Sequence, residues 1–268
     1  MADMGGFDVK KQAGFTTIAL LCFLLLYTPI VLLVMYSFNA GTSVAIWEGF
    51  SWRWYASAWE NEQVKAAALR SLWLALVASC VATSVAVLAA LATTRRAPYR
   101  GQTLVFAIIN QPLMVPEIVT AVALLIFFAL VKTLTGYTGG AYLFIAHSAF
   151  CIPFAYMPIR ARLQGMDLTL EQAGADLYGS PIRVFRRVTL PLLWPGILAG
   201  AMLAFVISLD DVVITEFVKA AGQETLPTYM LGQLRRAVTP EVNAISTVLL
   251  AISVSMVVVY FILSQRKT

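Results

Sequence analysis

The stretch Gly165-Met166-Asp167-Leu168-Thr169-Leu170-Glu171-Gln172-Ala173-Gly174-Ala175-Asp176-Leu177-Tyr178-Gly179-Ser180-Pro181, continuing as Ile182-Arg183-Val184-Phe185-Arg186-Arg187-Val188-Thr189-Leu190-Pro191, is polar and charged, and long apolar segments flank it on both sides. A membrane chain that keeps a structured, charged insertion on one face has a use for that face. Leu170–Tyr178 reads as a short helix, with Thr169 placed to cap it and Glu171 in its first turn, where the helix dipole favours an acid. Gly179-Ser180-Pro181 interrupts it, because proline suits the first position of a new helix. Ile182–Val188 then reads as a second short helix, in which Ile182 and Phe185 are three apart and share a stripe. Such a hairpin is shaped to dock into a groove of another protein; the alternative is a solvated amphipathic hairpin on the membrane surface.

Working outward, six apolar segments are marked: Phe15–Phe38, Ala66–Thr94, Thr103–Val131, Ala141–Ile159, Leu192–Val218 and Asn243–Leu263. Each approaches or exceeds the roughly 20 helical residues that a hydrocarbon core requires. The chain is 60% hydrophobic and only 12% charged, with a mean hydropathy of +0.79. Soluble domains carry about 25% charged residues. Backbone groups in lipid must be satisfied within their own segment, so the expectation is an all-α membrane protein of six transmembrane helices, with one domain over 1–268. The first segment is too long for a cleaved signal and is expected to remain as an anchor.

Basic residues set the orientation. Lys10, Lys11, Arg95, Arg96, Arg100, Arg160, Arg162, Arg183, Arg186, Arg187, Arg266 and Lys267 fall on one side; Arg53, Lys65, Arg70, Lys132, Lys219, Arg235 and Arg236 fall on the other. The excess predicts both termini and the 163–191 loop in the cytoplasm. The net charge of +5 is then largely this inside bias and calls for no nucleic acid.

Several chemistries lack their residues. None of the six lysines follows a glycine, so no phosphate-cradling Gly-Lys-Ser/Thr loop can form, and any ATP that drives this chain is expected, with its Mg, on another subunit. His147 is the sole histidine and reads as a helix-packing residue of the fourth span. Cys22, Cys80 and Cys151 all fall inside spans, where thiols behave as small apolar groups. No cofactor, metal site or catalytic residue is expected in this chain.

Acids inside a span cost about 2.5–3.5 kcal/mol on insertion scales and therefore face a cavity or a partner. Asp210 and Asp211 are the clearest pair. Ser208, Asp211 and Thr215 are spaced three and four apart and could form one polar stripe along a helix. The structural reading of the pair is a bridge to a partner or a broken helix end. Glu117 follows Pro116, with Pro112 one turn earlier, so the third span should kink or break there and place Glu117 at a new helix start. Trp47, Trp52, Trp54, Tyr55 and Trp59 crowd the segment after the first span and suit an interfacial aromatic belt.

The 165–191 stretch resembles the cytoplasmic coupling loop of ABC-importer permeases, whose pattern is Glu-Ala-Ala, a glycine four residues after the second alanine, and then Ile-x-Leu-Pro. Aligned on Leu190-Pro191, the family's glutamate falls at Gln172, its second alanine at Gly174 and its glycine at Tyr178, while Ala173, Asp176, Leu177, Val188, Leu190 and Pro191 fit. Further motifs are similar to spermidine/putrescine permeases. They include Tyr36-Ser37-Phe38-Asn39, Trp47-Glu48-Gly49-Phe50, Val115-Pro116-Glu117-Ile118-Val119-Thr120 and Phe150-Cys151-Ile152-Pro153. Ser208-Leu209-Asp210-Asp211-Val212-Val213-Ile214-Thr215 and Thr239-Pro240-Glu241-Val242-Asn243-Ala244 complete a likeness over roughly residues 27–250. Arg70 departs, since relatives usually carry Asn before that Ser-Leu pair.

The resemblance implies the type I importer fold, in a bacterial inner membrane, with a second permease, two ATPase subunits and a periplasmic binding protein as partners. It implies a solute pathway for polyamines near Asp210, Asp211, Ser208, Thr215 and Glu117. ATPase coupling would involve Glu171, Gln172, Ala173, Gly174, Asp176, Leu177, Gly179, Leu190 and Pro191. The alternatives are the same machine carrying an amino-acid derivative, a quaternary amine or a metal chelate, or a membrane-embedded enzyme or scaffold.

Overall fold

A computed structural model describes residues 14–97, 99–236 and 239–265. Among them the chain is helical: α1 (Phe15–Tyr36), α2 (Arg53–Glu60), α3 (Glu62–Thr94), α4 (Gln102–Met114), α5 (Glu117–Thr135), α6 (Ala141–Gln164), α7 (Thr169–Asp176), α8 (Pro181–Val184), a π-helical turn (Phe185–Thr189), α9 (Leu190–Asp210), α10 (Val213–Val218), α11 (Leu226–Arg236) and α12 (Pro240–Gln265). Six helical stretches are long and apolar enough to cross a membrane: Phe15–Tyr36, Glu62–Thr94, Glu117–Thr135, Ala141–Gln164, Pro181–Asp210 and Pro240–Val258.

Two spans are interrupted, the third where its prolines predicted a break. The third apolar segment is two helices, because Pro116 has no N–H to donate and Val115 before it takes an extended backbone (φ −103°, ψ 138°). Pro112 lies inside α4 and does not break it. The crossing portion is therefore α5, displaced toward the C-terminus, since α4 with its 13 residues is only about 20 Å long. The fifth segment breaks at Asp211, whose extended backbone (φ −63°, ψ 130°) separates α9 from α10.

The chain forms two compact units. One comprises the chain up to Asn61 together with Gln233–Leu250. Here α1 is apolar on every face and none of its residues is buried, as suits a helix in contact with lipid. The loop after it is built around Asn39. Its Nδ2 donates to the carbonyls of Ser43 (2.8 Å) and Ile46 (2.7 Å), and its Oδ1 accepts from the Glu48 N–H (2.8 Å). Trp54 is buried and its Nε1 donates to the Asn39 carbonyl at 2.9 Å, so this tryptophan is a loop anchor, not part of an interfacial belt. Trp47, Trp52 and Trp59 remain exposed.

The other unit comprises Glu62–Gly232 with the chain from Ala251. Its centre is the mutual packing of α3, α6 and α9. Lipid tails are as apolar as leucine, so helices associate in a membrane through close packing and interhelical hydrogen bonds. The chain meets that requirement with small residues. Ala75, Ala78, Ala82, Ala86 and Ala90 make one fully buried stripe on α3. On α9, Gly196 and Gly200 approach α6 so closely that an added Cβ would lie 2.7 Å from Arg162 Cβ and 2.7 Å from the Ala155 carbonyl, respectively. Tyr156, Ile159, Leu163 and Leu193 fill the larger spaces.

Candidate functional site

The break between α9 and α10 lies against α6, and several buried polar groups converge there. Asp211 turns its carboxylate back onto the start of α10. Oδ1 accepts from the Ile214 N–H (3.2 Å), and Oδ2 accepts from the Thr215 N–H (2.9 Å) and the Thr215 hydroxyl (2.8 Å). It thereby satisfies helix-end donors that nothing else in an apolar setting would satisfy. His147 of α6 spans the break, with Nδ1 2.8 Å from Ser208 Oγ and Nε2 2.9 Å from Thr215 Oγ1.

Hydrogen counting assigns the histidine tautomer. The single Thr215 hydroxyl hydrogen goes to Asp211, so Nε2 must carry a proton and donate to Thr215; in the neutral ring, Nδ1 then accepts from Ser208 Oγ. Ser208, Asp211 and Thr215 are thus brought together as expected, but through a helix break and not along one helical stripe. His147, read from sequence as packing only, is the member that joins them. Its signal was available: a lone histidine buried among apolar spans must find polar partners on other helices.

Glu117 opens α5 directly after the Pro116 break, half-buried, and α5 packs against α10, the helix that Asp211 caps. Asp210, next to Asp211, is exposed and stands outside the bonded network. Thr120, one turn along α5 from Glu117, has a buried hydroxyl oxygen with no partner among the described residues.

The second candidate region is the 163–191 stretch. Asp167, not Thr169, caps α7, accepting from the Thr169 N–H at 2.9 Å; these Thr169 hydrogen bonds hold the Asp167 carboxyl below its usual range. After the Gly179-Ser180-Pro181 interruption, Ser180 Oγ accepts from the Arg183 N–H at 3.4 Å and Pro181 begins α8. There is no separate second short helix. The π-turn Phe185–Thr189 joins α8 to α9, so Leu190 and Pro191 belong to the opening of the span itself. Proline is tolerated there because the wider turn frees N–H positions.

Gln172, Ala173, Asp176 and Leu177 lie on an exposed face with Tyr178 and Ile182, whose exposures are 97% and 72%. Gly174 and Gly179 face inward, toward Val184. Tyr178, where the coupling-loop pattern has glycine, is the one non-glycine residue with positive φ (56°) among the described residues. Glu171 does not point outward with its neighbours; it pairs with Arg95 just beyond α3 at 3.1 Å. Arg70 likewise has a local partner, as its Nη1 donates to the Glu224 carbonyl at 2.7 Å.

Six apolar crossings, two of them adjoining or containing a proline or aspartate break, and one polar loop joining the fourth to the fifth define a multi-pass membrane permease. The chain belongs to the family described as the binding-protein-dependent transport system inner membrane component, whose model matches residues 82–268. It is 33% identical to the putrescine transport system permease protein PotI of Escherichia coli (strain K12), over 98% of this chain and 95% of that one. It is 37% identical to the spermidine/putrescine transport system permease protein PotC of Haemophilus influenzae, over 90% and 93%. Among solved structures, the fold matches a chain of a bacterial alginate ABC transporter in complex with its alginate pentasaccharide-bound periplasmic protein (TM-score 0.73, 14% identity, 99% of both chains). It also matches the MetNI methionine ABC transporter (TM-score 0.62, 16% identity, 78% of this chain and 99% of that one). The fold is that of an ABC-importer permease.

Proposed function

We propose that this chain is the permease subunit of an ATP-driven importer for polyamines of the putrescine and spermidine class. The observation that carries the proposal is the placing of Glu117 at the start of α5 and Asp211 at the start of α10, two helices that pack together and each follow a break. A di- or tri-cationic amine offers such carboxylates the positive charge they lack and loses less on leaving water there. Similarity to polyamine permeases along nearly the whole chain supports the same solute class.

In this reading, 1–268 acts as one permease domain beside a second permease. A periplasmic binding protein delivers solute from outside, and two ATPase subunits hold ATP and Mg. Both termini and the 163–191 loop lie in the cytoplasm, and the exposed face around Gln172, Ala173, Asp176 and Leu177 receives the ATPase. Solute passes Asp210, Asp211 and Glu117, while Ser208 and Thr215 hold the broken span in shape. Alternating access moves the half-helices around the breaks at Pro116 and Asp211, where no continuous backbone ladder resists bending.

The test is ATP hydrolysis by the complex assembled with its partner subunits, with binding protein added empty or loaded with putrescine, spermidine, amino acids or betaines. Stimulation confined to polyamine-loaded binding protein is the expected result. Stimulation by another solute overturns the polyamine assignment, and failure of any ATPase to co-purify overturns the importer assignment of this chain.

A further inference from the structure

The helix α3 is pinned by polar contacts at both ends, while its middle is a smooth alanine stripe. At its C-terminal end, Arg95 Nε donates to Glu171 Oε1 of α7 at 3.1 Å, with the two side chains 14% and 19% exposed. The contact is made through one nitrogen; the buried Nη2 of Arg95 has no partner among the described residues. Near its N-terminal end, Arg70 Nη1 holds the Glu224 carbonyl and Ser71 Oγ accepts from the Leu226 N–H, both at 2.7 Å. Those two acceptor and donor groups belong to the segment that leaves α10, the short helix capped by Asp211. The 33 residues between and around these pins span about 50 Å as one uninterrupted α-helix.

We propose that Arg95 is a positioning residue that fixes Glu171 and so ties the coupling helix α7 to α3, making α3 the strut that transmits movement of α7 to the segment behind α10. The inference rests on the importer reading above. Glu171 sits one residue before the position where the family pattern carries its acid, and its charge is spent within the chain. A part-buried ion pair resists separation, because removing either partner leaves the other charge poorly solvated. Alanines line most of the buried face of α3, and the buried hydroxyls of Thr93 on α3 and Tyr156 on α6 lie 2.9 Å apart, so α3 moves together with α6 as one body. Movement of α7 is therefore delivered to Ser71 and Arg70 at the far end.

The experiment uses the whole complex in proteoliposomes and reads two ratios: solute-stimulated to unstimulated ATP hydrolysis, and solute taken up per ATP. Arg95→Glu and Glu171→Arg are each expected to lower both ratios at least tenfold, and the double exchange Arg95→Glu/Glu171→Arg to recover at least a third of the wild-type values. Ser71→Ala is expected to lower uptake per ATP at least threefold. Arg95→Gln serves if the reversals fail to assemble, with the same loss expected. Wild-type ratios in the Arg95 variants, or a double exchange no better than the single reversals, overturn the strut. A wild-type complex without solute stimulation instead overturns the importer reading itself.

Discussion

His147 Nε2 lies 3.3 Å from Asp211 Oδ2, with both side chains 1% exposed, so a residue from the middle of α6 and one from the break after α9 share a buried polar contact. The neighbouring hydroxyls of Ser208 and Thr215 complete the ring of donors and acceptors. This cluster is what makes a break in a membrane span tolerable, since each unpaired polar group in lipid costs several kcal/mol. It also fixes where the broken span ends its first half and begins its second.

Replacing His147 by Phe keeps a planar aromatic ring in the site, somewhat larger than imidazole, and removes both bonds, leaving Ser208 and Thr215 with reduced partners. The expected cost is about 2–3 kcal/mol, read as a drop in thermal midpoint of the detergent-solubilised protein. His147→Gln, which retains a donor and an acceptor, is expected to cost less than half as much. A His147→Phe protein as stable as wild type would remove His147 from the structural account.

The two adjacent aspartates should separate in their effects. Asp211→Ala loses the cap of α10 and is expected to destabilise by about 1–2 kcal/mol. Asp210→Asn alters an exposed group and is expected to stay within about 0.5 kcal/mol of wild-type stability, while raising the KM for uptake of the proposed solute. If Asp210→Asn leaves uptake unchanged, Asp210 is not on the solute pathway.

Tyr178 occupies a left-handed backbone position, which costs a non-glycine residue about 1 kcal/mol. Tyr178→Gly is therefore expected to raise stability only slightly, by up to about 0.5 kcal/mol after the entropy of a freer unfolded chain is subtracted. Gly179→Ala should act in the opposite sense, because its Cβ would lie 2.5 Å from the Gly174 carbonyl oxygen. Thermal scans of the two variants side by side decide the point; the same sign for both would contradict it.

Gly200 and Gly232 offer a matched pair. Gly200→Val forces a branched side chain onto the Ala155 carbonyl and is expected to destabilise by about 3 kcal/mol or more and to lower the yield of folded protein. Gly232 has open space around its Cβ position within α11, so Gly232→Ala should stabilise by up to about 1 kcal/mol. Comparable losses at both positions would mean that close approach of α6 and α9 is not what Gly200 provides.

The crossing helices were legible in the chain because membrane insertion is a one-dimensional problem: length and hydropathy alone determine which segments cross. Pro116 announced its own break, since the missing N–H and the clash with Val115 are local. The interruption at Gly179-Ser180-Pro181 and the misfit of tyrosine at position 178 were local as well. A broken helix end was one of the readings open at Asp210-Asp211, but the sequence did not decide for it. Val212 and Val213 continue an apolar run, and only the arrival of His147 from α6 supplies the partner that lets Asp211 turn back onto Thr215. The continuity from Pro181 through the π-turn into α9 was hidden for the same reason.

What the sequence by itself determined is the membrane class, the apolar segments that can cross, the polar loop and the acids placed within or beside the spans. Only the tertiary structure decided which of those residues meet. Asp211 is buried against His147 while Asp210 is exposed, and Glu171 is engaged by Arg95 while Gln172 is exposed. The physical reason is that hydropathy and proline act on neighbours in the chain. Pairing of buried polar groups depends instead on which helices pack together, and that is set by small-residue contacts such as Gly196 and Gly200 against α6.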